Sequence, residues 1–200
     1  MKIVFATANQ NKVKEVQALL PDTVQILSLK DINCLEDIPE TSETIEGNAI
    51  QKAQYIFDNY GYACFADDTG LEVDALNGDP GIYSARYAEP EKNADNNMSK
   101  LLNELAAKNN RKAHFKTVIA IIGFNKELKT FEGICNGEIT TEKYGEKGFG
   151  YDPIFKPFGY DITFAQMPLA EKNKIGHRGK AVQKLISYLT KTSYSKSDSK

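Results

Sequence analysis

Residues Thr7-Ala8-Asn9-Gln10-Asn11-Lys12 gather a hydroxyl, three amides and an ammonium where an apolar run gives way to a helical pattern. At such a junction the first backbone N–H groups of the helix are unpaired and partially positive, so the turn could cradle an anion such as phosphate. It contains neither Gly-x-x-x-x-Gly-Lys nor Gly-x-Gly-x-x-Gly, and a polar turn with a solvated lysine is the competing reading. Asp67-Asp68 is a second candidate. Adjacent carboxylates repel, and successive side chains of an extended backbone point to opposite faces, so one of the pair should face a site. There it could coordinate Mg2+ or take a proton from an attacking water. Asp-Asp-Thr-Gly is equally good turn chemistry. Glu40, Glu43 and Glu46 are possible second carboxylates, the last two also suited to capping a helix N-terminus.

Gly148-Phe149-Gly150-Tyr151-Asp152-Pro153 sets aromatics between glycines, which would let a flat ligand such as a purine approach the backbone and stack. A bend filled by core aromatics would read the same way. Lys172 in Ala170-Glu171-Lys172-Asn173, with His177 and Arg178 in Gly176-His177-Arg178-Gly179, adds three donors ahead of the final helix. They suit phosphate or purine carbonyl oxygens, or simply a charged surface. Taken jointly, the four blocks supply a phosphate cradle, a carboxylate pair, a stacking platform and base-edge donors, and a nucleotide enzyme explains them all.

The elements that must position these residues follow from periodicity. Residues 2–8 read as a buried strand, followed by a helix on Val13, Val16, Leu19 and Leu20 that Pro21 ends. A strand at 24–29 precedes an acidic loop at 30–42. Thr44 can then cap a helix on Ile45, Ala49, Ala53, Ile56 and Phe57 that Gly61 ends. Residues 62–66 read as a strand running into a turn at Asp67-Asp68-Thr69-Gly70, with a short strand at 71–76 beyond it. A helix is expected over 95–108, and a hairpin over 114–124 and 128–136 across Asn125-Lys126-Glu127. A short strand about Ile154, a final helix over 179–190 and a disordered Ser/Lys-rich tail at 193–200 complete the pattern. With no repeat and no linker, residues 1–192 are expected to form one α/β domain, a mixed sheet flanked by helices rather than a purely parallel one.

Composition narrows the function classes. The 200 residues are 41% hydrophobic and 26% charged, enough for a sizeable core. Lys plus Arg number 25 against 27 Asp plus Glu, which argues against nucleic acid as a partner. The N-terminal apolar run is too short for a signal peptide or a membrane span. The three scattered cysteines suit a reducing cytoplasm rather than a disulfide framework, and two histidines make a multi-histidine zinc site improbable.

In order along the chain, Thr7-x-Asn9-x-x-Lys12, Ala66-Asp67-Asp68-Thr69-Gly70-Leu71, residues 80–87 (Pro-Gly-Ile-Tyr-Ser-Ala-Arg-Tyr), Phe149-Gly150-Tyr151-Asp152-Pro153 and His177-Arg178-Gly179 resemble the inosine/xanthosine triphosphate pyrophosphatase family. The resemblance spans about residues 2–190. It implies a Mg2+-dependent hydrolase of dITP, ITP and XTP, yielding the monophosphate and pyrophosphate. It also implies a cytosolic homodimer whose elongated mixed sheet joins two α/β lobes with the site in the cleft between them. Carried over by position, Thr7 to Lys12, including Ala8, Gln10 and Asn11, would hold the triphosphate. Asp68 would be the proton acceptor and, with Glu40, a metal ligand; Thr69 would touch substrate. Lys52 and Lys172 would neutralise phosphate charge, and Phe149 would stack on the base. Gly150, Tyr151, Asp152, His177 and Arg178 would complete the base pocket. Two positions depart from the pattern: Thr69 stands where serine is usual, and Gly47 stands where many members have an acid. Two rivals remain, a nucleotide-sensing module without hydrolysis and a single-stranded nucleic-acid binder that stacks bases on Phe149 and Tyr151.

Overall fold

The computed structural model describes residues 1–88, 92–124 and 127–195. Among them seven strands form one mixed sheet: β1 (Lys2–Phe5), β2 (Gln25–Leu27), β3 (Cys64–Val73), β4 (Pro80–Gly81), β5 (Lys112–Ile122), β6 (Lys129–Ile139) and β7 (Phe155–Pro157). Their order is β2-β1-β3-β5-β6-β7, with β4 beside β3. β1 pairs in parallel with β2 and β3, and the remaining pairings are antiparallel. Among the described residues five helices flank the sheet: α1 (Gln10–Gln17), α2 (Ile45–Tyr60), α3 (Ala94–Glu104), α4 (Leu169–Ile175) and α5 (His177–Ser195).

Strand parity assigns the faces. Cys64 and Ala66 of β3 pack with Ile45, Ala49, Ala53 and Ile56 of α2. Phe65, on the opposite face, packs with Val16 of α1 and with Ala181, Val182 and Leu185 of α5. Farther along this second face, Leu71, Val73 and Phe115 join Leu101 and Leu105 at the α3 end in a separate core. Between these two apolar cores the same face carries Asp67, Thr69 and Thr117, a polar band that divides the long sheet into two lobes.

Several elements differ from the sequence expectation. The acidic pair occupies no turn: β3 runs unbroken through it, with Asp67 opposite Ile119, Asp68 opposite Val118 and Thr69 opposite Thr117. Ten consecutive pairings with β5 override the local turn preference of Asp-Asp-Thr-Gly, the usual outcome when a strand is central. Gly70 serves a close approach, since a Cβ there would lie 2.7 Å from the Gly81 carbonyl oxygen of β4. The strand expected at 71–76 is the end of β3 followed by a 3-10 turn, Asp74–Leu76. α4 was not anticipated. α5 extends to Ser195, into the stretch expected as a tail, while 196–200 and part of the turn expected at Asn125-Lys126-Glu127 lie outside the described residues.

Candidate active site

Asp67 and Asp68 lie back to back on β3, each meeting a different set of cations. On the α1/α5 face, Asp67 Oδ1 accepts from Lys12 Nζ at 3.0 Å and Oδ2 accepts from Arg178 Nε at 3.1 Å. Lys12 arrives on α1, whose start is set by Asn9: its side chain accepts the Asn11 and Lys12 backbone N–H groups. Arg178 sits in the first turn of α5 and also donates to Thr69 Oγ1 at 3.1 Å and to Glu15. Thr69 shares a 2.6 Å hydrogen bond with Thr117. Glu15 then accepts from Lys172 Nζ at 2.7 Å, and Lys172 donates to Asp152 Oδ2 at 2.6 Å. One chain of alternating charge thus runs Lys12, Asp67, Arg178, Glu15, Lys172, Asp152.

Burial alone would raise the Asp67 carboxyl, but Lys12 and Arg178 outweigh it and hold the group down at about 2. Glu15 is also lowered, because Arg178 and Lys172 overcome its desolvation. Asp152 is raised: burial wins over its single cation, Lys172.

On the α2 face, Asp68 Oδ1 lies 3.3 Å from Lys52 Nζ, and Oδ2 lies 3.4 Å from Asn48 Nδ2. Lys52 and Asn48 stand one helical turn apart on α2, so both reach the same carboxylate. Lys52 also pairs with Glu40 at 2.5 Å, and Arg86 approaches Glu40 from the 3-10 turn Ser84–Arg86 at 3.7 Å. Burial raises the Asp68 carboxyl, with Glu40 and Asp67 adding to the rise and Lys52 and Lys12 opposing it. Glu40 is lowered, Lys52 outweighing partial burial.

The remaining candidates divide. Phe149 is half-buried, its ring 5.1 Å from Lys172 Nζ and 5.5 Å from Arg178 Cζ. Its loop depends on Gly148: φ is +76°, and a Cβ there would lie 2.0 Å from Asp152 Oδ2, which accepts the Phe149 N–H at 2.8 Å. Gly150 also has positive φ, at +63°. Tyr151 offers no stacking face, because its ring lies in the core and its hydroxyl donates to the Ser84 carbonyl at 2.9 Å. His177 is buried, stacked on Phe115 at 4.5 Å, and its Nδ1 has no partner among the described residues. Burial and the charges of Arg178 and Lys172 push its pKa well below the usual histidine value, leaving the ring neutral. Thr7 is half-buried beside exposed Ala8, Asn9, Gln10 and Asn11 at the open start of α1. Glu46 is turned away: it accepts from Thr130 Oγ1 of β6 at 2.8 Å, and Glu43 is exposed.

Sequence reasoning missed Glu15, Asn48, Arg86 and Thr117. The signals for two of them were polar residues inside apolar faces: Glu15 next to Val16 on α1, and Asn48 between Ile45 and Ala49 on α2. Among the described residues no three His, Cys, Asp or Glu side chains form a metal-binding group. The pair Glu40 and Asp68, both on Lys52, still fits Mg2+, which takes one or two carboxylates and completes its shell with water and phosphate. A concavity of about 1000 Å³ lies elsewhere, lined by residues such as Asp74, Arg111, Glu138 and Lys156, and contains none of the candidates.

The Ham1 family pattern matches residues 3–188. Among curated relatives, the dITP/XTP pyrophosphatase of Flavobacterium johnsoniae is 63% identical over 96% of this chain and 100% of its own length. That of Porphyromonas gingivalis is 48% identical over 94% and 97%. Among solved structures, the Staphylococcus aureus Ham1 protein superposes with a TM-score of 0.87 at 42% identity, covering 95% of this chain and 98% of that one.

Proposed function

From the premise that the chain belongs to the Ham1 family, we propose that it hydrolyses non-standard purine nucleoside triphosphates, dITP, ITP and XTP, to the nucleoside monophosphate and pyrophosphate, removing them from the nucleotide pool. The observation that carries this reading is convergence. Lys12 of α1, Lys52 of α2 and Arg178 of α5 come from three elements to one acidic pair on β3, and Lys172 of α4 joins the same charge network through Glu15 and Asp152. A triphosphate carries several negative charges that such cations neutralise, and the half-buried Phe149 ring beside Lys172 and Arg178 is where a nucleobase would lie.

Water attacks the α-phosphorus in line. Asp68, the carboxylate on the less enclosed face, orients that water and accepts its proton, while Lys12 and Lys52 offset charge growing on the departing pyrophosphate. Thr7 to Lys12 contribute hydroxyl, amide and backbone N–H donors to the phosphates, and Thr69 extends that set. Glu40 and Asp68 would hold Mg2+, which when bound supplies further charge neutralisation at the phosphates. Selectivity follows from donors. A purine with a 6-keto oxygen accepts from N–H groups of this pocket, whereas the adenine amino group leaves a buried donor unpaired, so ATP is a poor substrate. Asp152, already accepting from Lys172 and the Phe149 N–H, acts by fixing these groups, and neutral His177 offers Nδ1, which has no partner among the described residues.

The protein acts in the cytoplasm as a homodimer on this reading. Its described helices include none long and apolar enough to cross a membrane, and its three cysteines are free. Pyrophosphate release from dITP, ITP, XTP, GTP and ATP, each with Mg2+ and with EDTA, tests the assignment. Fast release from the first three, loss in EDTA and weak turnover of ATP are expected; tight dITP binding without any release would make the chain a sensor instead. Gel filtration checks the dimer.

A further inference from the structure

We propose that Asn48 is a positioning residue for Asp68, its amide oriented by the backbone N–H of Ser42 so that, together with Lys52, it holds the carboxylate plane with its remaining lone pairs aimed at the reacting water. The inference rests on the reading of Asp68 as the group that acts on water. Asn48 is buried, and its Oδ1 accepts the Ser42 N–H at 2.9 Å. A backbone N–H can only donate, so the oxygen of the amide must face Ser42 and the NH2 must face the other way. That other way is Asp68 Oδ2, at 3.4 Å. With Lys52 on Oδ1 at 3.3 Å, two donors one helical turn apart fix the carboxylate plane. Both contacts are long, as catalytic contacts commonly are before substrate tightens them.

The Gly47 departure belongs to the same device. A Cβ at position 47 would lie 1.9 Å from Ser42 Oγ and 2.8 Å from Ser42 Cβ. Thr44 Oγ1 accepts the Gly47 N–H at 2.9 Å, and Ser42 Oγ accepts the Thr44 N–H at 3.3 Å. The absent side chain at 47 is therefore what lets Ser42 sit against the first turn of α2 and aim its N–H at Asn48. The bidentate contact between Gln51 and Thr41, 2.9 Å in each direction, secures the neighbouring residue.

Four variants test this with dITP kinetics and thermal melting. Asn48→Asp keeps an acceptor for Ser42, removes the donor to Asp68 and sets a repelling carboxylate in its place, and kcat should fall on the order of 100-fold with KM changed less than about 3-fold, since small misplacement of a reacting group costs about that much. Gly47→Ala should lower kcat in the same selective way, and adding Ser42→Gly, which removes the two nearest colliding atoms and leaves only Thr44 Oγ1 at 2.9 Å, should recover most of it. A kcat in Asn48→Asp within about 3-fold of the parent overturns the proposal, as does a loss that follows the melting temperature down or a double variant no better than Gly47→Ala. Asp68→Asn separates the two layers. If it stays active, the role of Asp68 itself fails; if it is inactive while Asn48→Asp is not, only the positioning role fails.

Discussion

The two faces of β3 put the same chemical group into opposite service one residue apart. Asp67 faces α1 and α5, is fully enclosed, and is saturated by Lys12 and Arg178. Asp68 faces α2, is less completely enclosed, with 14% of its side chain exposed, and shares its single strong cation, Lys52, with Glu40. The first carboxylate is locked into its charged form; the second is left with a raised affinity for protons. Alternation along a strand thus lets one dipeptide contribute both a structural anchor and a reactive base, because the elements packed on the two faces differ.

The largest effect that would break this contrast is on turnover. Asp68→Asn should lower kcat on the order of 1000-fold, a general base's usual contribution, with little change in melting temperature. Asp67→Asn should do the reverse in kind. It leaves Lys12 and Arg178 short of a counter-charge, and removing one partner of a buried ion pair costs about 3–5 kcal/mol. Urea unfolding of both variants checks the exchange, and equal destabilisation by the two substitutions would erase the distinction drawn between the faces.

Protons offer a smaller and sharper test. Asp67 has a folded pKa of about 2 against 3.8 unfolded, so its stabilisation is complete above the unfolded value and disappears as pH falls toward 2. Integrated over that window it amounts to about 2 kcal/mol, less than the truncation cost because protonation leaves no foreign side chain behind. Asp68 and Asp152 are raised, so they oppose folding at neutral pH and stop doing so once acid protonates them. Activity needs ionised Asp68, which is lost at a higher pH than the Asp67 contribution to stability. On titration downward, kcat/KM should therefore decline while the melting temperature still holds; coincident decline of both below pH 3.8 would contradict the assigned environments.

How much of this was legible beforehand depends on range. Helix ends were readable because their signals are local: Thr44 caps α2 and Gly61 closes it at φ +70°. The mixed sheet followed from hairpin and strand-helix alternation. The turn at Asp67-Asp68 failed because pairing with β5, some fifty residues on, outweighs local preference. Family motifs pointed to Lys12, Asp68 and Arg178, but nothing in spacing alone could say that Arg178 would join Asp67 to Glu15. Likewise Asn48, given no role from sequence, is turned by the fold toward Asp68.

The smallest predicted effect concerns the aromatic pair in the Phe149 loop, where the same two-sided logic recurs. Phe149 is half-buried over cations, while Tyr151, two residues on, is in the core with its hydroxyl on the Ser84 carbonyl. Phe149→Leu should raise KM for dITP several-fold, since stacking on a base is worth about 1–3 kcal/mol. Tyr151→Phe keeps the packed ring and removes one buried hydrogen bond, so it should cost about 1 kcal/mol of stability and leave KM unchanged. The carbonyl of Ser84 retains Asn97 Nδ2 at 3.3 Å as a donor, which keeps the loss at that modest size. A rise in KM for Tyr151→Phe comparable to that of Phe149→Leu would place the tyrosine on the base after all, against the position of its ring.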